Sequence, residues 1–553
     1  MDVISALRFY VESIVGDQSI GGMKALLLDS TTTQIFSMVY TQTQLLEKEI
    51  YLVEQLGKNH EMMQHLKAVV FVRPSEQNLA LLKKEIGSPK FSEYHIFFSN
   101  ICPSDMITRL GRADDKEVVR QVQEFYADVM AVNEDFYHLG VDRSLILNSP
   151  RSPKGISEGV FERNVSGVLS LLLSLKKKPS SVRYTAASDV AGRVAKEVNS
   201  RMEKDDIFYF PGDGPMVLIL DRRDDPITPL LTQWTYQAMV HELLGLNNNR
   251  VSLKGAKGIK KDLEEVVLSC SQDKFFNTNR CANFGDLGEA VKQLLGDYQR
   301  KSKMNENIAS IEDMQAFLDR YPAFRSHAIN VSKHVAIMGE LARLTETHDL
   351  LALSALEQDI ACGSDHGGHM KELMEKLSDH RVLSADKVRL CMLYVLRYES
   401  YRDLPRLKLK LHETGMTGSQ TKVLDDLLEY AGEARRTPGL FGQGGMMAKM
   451  AKAVSSSING VENVYTQHTP LLSQTLESIS KGKLNNAHYP TAGAAAAGKP
   501  AEVLVFMVGG ATFEEAAAVS TFNASGAGVR ILLGGSCVHN SMSFTKEISK
   551  SFA

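Results

Sequence analysis

The sequence has no stretch able to cross a bilayer as a helix. Its longest apolar run, Val168 to Leu175, stops at Lys176, Lys177 and Lys178; a span needs about 20 apolar residues. Nor does the N-terminus read as a signal peptide, because Asp2, Arg8 and Glu12 interrupt its apolar residues. It reads as an amphipathic first helix. Cysteine is scarce: Cys102, Cys270, Cys281, Cys362, Cys391 and Cys537 are scattered, with no CxxC pair. That excludes a disulfide scaffold and fits reduced thiols in the cytosol. Charge of one sign is also missing. A formal net charge of −3 provides no global basic field for nucleic acid or for strong anionic-membrane binding.

Catalytic and metal-binding patterns are equally short. Gly155-Ile156-Ser157-Glu158-Gly159 matches G-x-S-x-G, but Pro150 and Pro153 stand where a nucleophile elbow needs a strand. Cys362, Asp365, His366 and His369 cluster without a second ligand pair, which reads as a helix–helix loop and not as zinc. Val508-Gly509-Gly510 and Leu533-Gly534-Gly535 end apolar runs without completing a phosphate-loop pattern. His241-Glu242 lacks the second histidine of H-E-x-x-H. The reading is of a non-enzymatic chain with no catalytic residue, metal or cofactor.

What is present is length and alternation. A chain of 553 residues, 43% hydrophobic and 23% charged, has the composition of a soluble globular protein and is too long for one core. Residues 1–139 read as βα units, with buried strands at Met23–Asp29, Ala68–Val72 and Tyr94–Phe98. Helices are expected near 43–56, 75–86 and 115–130. A second α/β unit starts near Gly140, with a strand at Ser144–Leu147, helices at Gly159–Lys178 and Thr185–Lys204, and a strand at Met216–Asp221. Ala501–Val508, a helix over Thr512–Ser520 and Val529–Leu533 resume the same pattern. The second domain is therefore discontinuous: domain 1 at 1–139, domain 2 at 140–245 and 491–553, and a helical insertion at 246–490.

Within the insertion, 308–345 reads as two helices divided near Tyr321 and Pro322. The second has one apolar face of Val331, Val335, Met338 and Leu341. Segments 349–362, 367–378, 384–402 and 420–436 supply further helices. Residues 437–460 are Gly- and Met-rich, and 481–500 reads as a low-complexity mobile loop.

The most informative stretch is DRRDDPITPLLTQWTYQAMVHELLG. A buried strand delivers Asp221, Arg222, Arg223, Asp224 and Asp225, and Pro226 and Pro229 then restrict the backbone. From Leu230 through Trp234, Met239 and Leu243 apolar residues recur at helical spacing. On chemistry, the corner is either a satisfied salt-bridge network that orients two domains, or a paired-Asp metal site for phosphate or sugar-nucleotide transfer. The adjacent arginines compete for the carboxylates and favour the first.

This stretch closely resembles the signature of the Sec/Munc (SM) family, the syntaxin-binding regulators of SNARE-driven membrane fusion. KALLLDSTTTQIFSMVYTQTQLLEKEIYLVEQL, KAVVFVRPSEQNLALL and YHIFFSNICPSDMITRL resemble successive pieces of the family's first domain. VLVFMVGGATFEEAAAV and ILLGGSCVHNS resemble its final strands. The N-terminal pattern and NVYTQHTPLL are most similar to the vacuolar protein-sorting branch of the trans-Golgi/endosomal pathway.

The resemblance implies an α/β, three-domain arch: two parallel-sheet domains, with a large helical domain inserted in the second. It implies no catalytic activity. It implies a peripheral protein on Golgi and endosomal membranes, reaching the membrane only indirectly, through a syntaxin (Qa-SNARE) whose helical bundle it holds, and promoting SNARE complex assembly. An apolar pocket on domain 1 would take the syntaxin N-peptide. Ile107 matches its central hydrophobe, Leu110 belongs to the same pocket, Val119 and Val122 match a facing helix, and Glu124 stands nearby. A shared helix face also fits plain core. Pro322 matches the family's hairpin proline, although a plain helix start fits it equally. The signature corner comprises Asp221, Arg222, Asp224, Asp225, Pro226 and Trp234. Rival readings are a metal-dependent transferase using Asp224 and Asp225, and a tethering scaffold without SNARE contact.

Overall fold

The computed structural model describes residues 1–59, 61–212, 214–256, 259–305, 311–437, 439–441, 464–493 and 498–552. The chain forms two units. One holds Met1–Arg222, Thr475–Ala511 and Thr521–Val538; the other holds Arg223–Gln474, Thr512–Ser520 and His539–Ala553.

The first unit is built on two sheets. Lys24–Leu28 (β1), Ile50–Gln55 (β2), Lys67–Val72 (β3), Tyr94–Phe98 (β4) and Val119–Glu124 (β5) form a parallel sheet in the order β2-β1-β3-β4-β5. Every residue of β1 and β4 is buried, as expected of strands covered on both faces. Asp29, just past β1, caps the helix Ser30–Val39 and also accepts from the Arg73 N–H at 2.7 Å and the Asn78 amide at 2.6 Å.

Both edge strands fall where helices were expected. In 43–56 the helix ends at Glu47, and Glu49 turns the chain at φ 62° into β2. In 115–130 the Asp114 carboxylate accepts from the N–H groups of Val118 and Val119, Glu117 sits at φ 55°, and β5 begins. Half-exposed edge strands rich in Glu and Gln have no long apolar run to betray them.

The second sheet joins Thr491–Ala492, Ser181–Tyr184 (β8), Met216–Asp221 (β9), Glu502–Val508, Arg530–Gly535, Phe136–His138 (β7) and Met130–Asn133 (β6) in that order. Its interior pairs are parallel and its two outer pairs antiparallel. Because β6 and β7 belong to it, this sheet takes in residues N-terminal to position 139. Ser144–Asn148 is a 3-10 turn and not a strand. The glycines after the last strands are structural: a Cβ on Gly534 would lie 2.0 Å from the Tyr137 ring, and Gly509 and Gly510 turn at φ 88° and 97°. Part of 481–500 is ordered through pairing with β8. Tyr184 and Ala186 donate to the carbonyls of Pro490 and His488, and the Arg183 Nε donates to Tyr489 O at 2.8 Å.

The second unit is mainly helical. Its longer helices are Phe284–Asn305, Ile311–Thr347, Leu350–Cys362, His366–Ser378, Ser384–Arg397, Leu404–Glu413 and Val423–Ala431. Ile311–Thr347 is one helix, where two divided at Pro322 were expected. A proline costs a helix one N–H bond, but neighbouring turns can carry the backbone through. The buried side of that helix uses Val331, His334, Ile337 and Leu341, while Val335 is 39% exposed. The apolar face thus runs through a histidine, which is why Val335 was misplaced. The C-terminal helix Ser541–Phe552 packs here too, Tyr430 lying edge-on to both Phe544 and Phe552. It does not continue the second α/β domain as the 491–553 assignment expected. Most of 437–460 lies outside the described residues.

Candidate functional site

Of the five residues matched to a peptide pocket, Leu110, Val119 and Val122 meet in one core cluster, while Ile107 lies on the helix of Leu110 and Glu124 on the strand of the two valines. The short helix Ser104–Gly111 turns Met106 and Leu110 into the core and leaves Ile107 40% exposed. Beside it runs β5, a strand where a facing helix was expected. A bulge resets its alternation: Tyr94 pairs Val119, His95 pairs Gln121 and Ile96 pairs Val122, so Arg120 is the extra residue. Val119 and Val122, which strict alternation would separate, therefore share the face of Tyr94 and Ile96. Both are half-buried against the core cluster that holds Leu110.

Glu124 ties this edge together. Its carboxylate accepts from the Cys102 N–H at 2.8 Å and from the Tyr126 hydroxyl at 3.0 Å. The first bond fixes the loop leading into the Ile107 helix. Burial, helped by Glu124, pushes the Cys102 thiol up to about 12, so it stays protonated. Ile107 is the exposed apolar group; Leu110 is core.

The signature corner divides between the units. In the first, buried Asp221 accepts from the Ser188 hydroxyl at 2.6 Å and from the Asn148 amide at 3.3 Å, and Arg222 is fully buried. In the second, Asp224 accepts from the Thr437 hydroxyl at 2.7 Å and N–H at 3.1 Å. Asp225 accepts from the Thr228 N–H at 3.0 Å and hydroxyl at 2.6 Å, and from the Leu471 N–H at 3.0 Å. Both carboxylates thus serve as loop and helix-end acceptors. Pro226 is buried within this turn.

The helix expected from Leu230 begins only at Tyr236. The intervening segment is extended, and its polar groups are met by other helices. Trp234 Nε1 donates to the Ser354 hydroxyl at 2.8 Å, and the Phe284 and Tyr465 rings lie tilted against the indole, each at 6.1 Å. The Thr232 N–H donates to Glu357 at 2.6 Å, and Arg389 donates to the Leu230 carbonyl at 3.0 Å.

That last network was not foreseen. Glu357 and Arg389 lie in separate helices, and a charge directly after the mostly apolar start LLALSAL of the first was the available signal. Burial works against a charged Arg389, but Glu357, Asp386 and Glu242 outweigh it and hold the guanidinium above its ordinary value. A second unforeseen chain runs from the Tyr236 hydroxyl to His334 Nδ1 at 2.8 Å and from His334 Nε2 to Asp273 at 2.9 Å. It seats the long helix Ile311–Thr347 on the turns before it.

The remaining motifs hold ordinary roles. Ser157 sits in the first turn of the helix Lys154–Ser174 and donates to the Lys154 carbonyl at 3.0 Å. His366 bonds Asp403 at 2.7 Å and stacks on Tyr401 at 3.8 Å, while His369 bonds the Tyr398 hydroxyl at 2.7 Å. The Pro322 side chain lies outside the described residues.

Comparison with known proteins gives a consistent result. The model of the Sec1 family matches residues 24–547. Vacuolar protein sorting-associated protein 45 of Dictyostelium discoideum is 42% identical, over 99% of this chain and 97% of its own. The Homo sapiens protein of the same name is 42% identical over 99% and 96%. A solved structure of the SM protein Vps45 in complex with the Qa SNARE Tlg2 superimposes with a TM-score of 0.90 at 39% identity, over 100% of this chain and 98% of that one.

Proposed function

This chain belongs to the Sec1 family, and from that premise we propose that it binds a Qa-SNARE of the trans-Golgi/endosomal type and promotes SNARE complex assembly. As a family member it is a non-enzymatic regulator of vesicle traffic. The observation that carries the proposal is the full-length likeness, at a TM-score of 0.90, to a Vps45 solved with its Qa-SNARE bound.

The contact proposed for the SNARE N-terminal peptide is the edge formed by Ile107, Val119 and Val122. Ile107 supplies exposed apolar surface and Glu124 holds the helix that presents it. Such a patch is too small to carry high affinity alone. It acts as a tether, raising the local concentration of the SNARE's helices for a second contact. Pro322 is proposed as the point at which the long helix of the second unit bends when SNARE helices engage. A domain division close to 1–139, 140–245, 246–490 and 491–553 is retained as a working scheme, with its first boundary moved N-terminal of β6 and the helix Ser541–Phe552 assigned to the helical unit.

The test is fluorescence anisotropy of labelled N-terminal peptides from a panel of Qa-SNAREs against the full chain. Selective binding of a trans-Golgi/endosomal peptide, lost in Ile107→Arg, is the expected outcome. Binding unaffected by Ile107→Arg removes the pocket assignment. No binding of any Qa-SNARE, as peptide or as full cytosolic segment, overturns the function.

A further inference from the structure

We propose that the helix Leu404–Glu413 is a direct docking surface for an anionic bilayer. This goes beyond recruitment through a SNARE, because it gives the chain a membrane contact of its own.

This helix turns its leucines in opposite directions. Leu407 and Leu411 are fully buried, and Leu404 is half-buried beside them. At about 100° per residue, Leu409 then points directly away from that ridge, and it is 62% exposed. A helix crown turned to water ordinarily holds a polar residue. Here Arg406 and Lys410 flank the leucine on one side, His412 and Lys408 on the other. Just before the helix, Tyr401 is 58% exposed and is followed by Arg402.

The stretch carries a local excess of positive charge. From Tyr401 to His412 there are four cations, Arg402, Arg406, Lys408 and Lys410, against one carboxylate, Asp403, in a chain of net charge −3. Asp403 already accepts from His366 at 2.7 Å. Lys408 pairs with Asp425, and Lys410 with Glu413 at 3.3 Å. Among the described residues, Arg402 and Arg406 have no ion-pair partner. Two unneutralised arginines beside an exposed leucine and tyrosine make up the composition of an interfacial segment, with apolar groups entering the headgroup boundary and cations meeting lipid phosphates.

The chemistry selects the occupant: cations flanking an exposed leucine complement a surface that is anionic at its headgroups and apolar beneath them. No described helix is long and apolar enough to cross a membrane, so the contact is peripheral. It weakens as salt rises, because exposed charges are screened over about 8 Å at physiological ionic strength.

The experiment is vesicle flotation of the full chain with phosphatidylcholine alone and with about one-third phosphatidylserine. Preferential flotation with the anionic vesicles is expected, weakening with added salt. Arg402→Glu with Arg406→Glu should lower partitioning at least about 20-fold, roughly 5-fold for each arginine lost. Leu409→Ser should lower it about 10-fold. All three side chains are exposed, so unchanged thermal unfolding of the variants confirms that folding is intact. Equal flotation with both vesicle types, or flotation indifferent to these substitutions, overturns the proposal. So does a result in which the substitutions weaken binding of a soluble SNARE bundle but leave vesicle binding untouched, since that assigns the face to a protein.

Discussion

The carboxylate of Glu357 and the guanidinium of Arg389 meet at 2.6 Å inside the helical unit, with neither side chain more than 4% exposed. The pair is not isolated: Thr232 donates to Glu357 through both its N–H and its hydroxyl, and Arg389 also reaches the Leu230 carbonyl. Two helices thereby grip the extended segment that follows the signature corner. Arg389 keeps Asp386 as a second partner at 2.8 Å, so the two removals are unequal. Arg389→Leu leaves Glu357 buried without its cation and should cost about 3–5 kcal/mol in chemical denaturation, and Glu357→Leu should cost less. The double variant should recover much of the loss, because two apolar side chains of similar volume restore a dry core. A double variant as unstable as the sum of the singles would show that the backbone contacts, and not the pair, hold the segment.

Asp225 acts on the same segment from its other end. Its carboxylate is the acceptor for the Thr228 N–H and hydroxyl and for the Leu471 N–H. Asp225→Ala strands those buried donors, and a loss of about 3 kcal/mol is expected. Amide hydrogen exchange is the direct readout, with faster exchange expected at Thr228 and Leu471 and little change at Val217 in β9. Manganese should leave this exchange unchanged, since the carboxylate is committed to protein donors; protection on adding the ion would revive the transferase reading.

How far these features were legible in the sequence depends on what buried them. Strands β1, β4 and β9 are covered on both faces, so their apolar runs read directly. Edge strands β2 and β5 are half-exposed and take Glu, Gln and Arg on their open side, so no run marks them. The matched positions Ile107, Val119 and Val122 were found through family resemblance, and the common face of Val119 and Val122 arises from a bulge at Arg120 that no periodicity encodes. Glu357 and Arg389 are 32 positions apart in sequence (389 − 357), and only the packing of two helices brings them together. Val335 was misplaced for the converse reason: the face it was assigned to turns on His334, a polar residue buried by its bonds to Tyr236 and Asp273.

His241 gives the helix after the corner a pH dependence. Burial pushes its imidazole down from 6.5 to about 4, with the Phe513 ring edge-on at 5.0 Å. The unfolded chain binds this proton between those values while the folded chain does not. Stability therefore rises with pH through the window, is complete above about pH 6.5 and declines as pH falls toward 4. Since the ring is half-buried, the expected swing is about 2 kcal/mol. His241→Phe should flatten the dependence of the unfolding midpoint between pH 4 and 6.5. A slope unchanged in this variant would assign the titration to other groups.

Ile107 and Leu110 stand one turn apart on the same short helix, yet they should fail in different ways. Leu110 is 2% exposed within the core of the first sheet, so Leu110→Ala opens a cavity and should cost about 3 kcal/mol. Ile107, at 40% exposure, touches little of that core, and Ile107→Ser should change stability by less than about 0.5 kcal/mol. Binding should show the opposite order. Ile107→Ser should weaken a Qa-SNARE N-terminal peptide by about 10-fold, whereas Leu110→Ala, measured well below its unfolding midpoint, should weaken it only as far as the helix shifts. Running denaturation and anisotropy on the same two variants separates a docking contact from a core residue. If Leu110→Ala abolished binding while Ile107→Ser left it intact, the apolar contact would lie deeper than the surface edge of Ile107, Val119 and Val122.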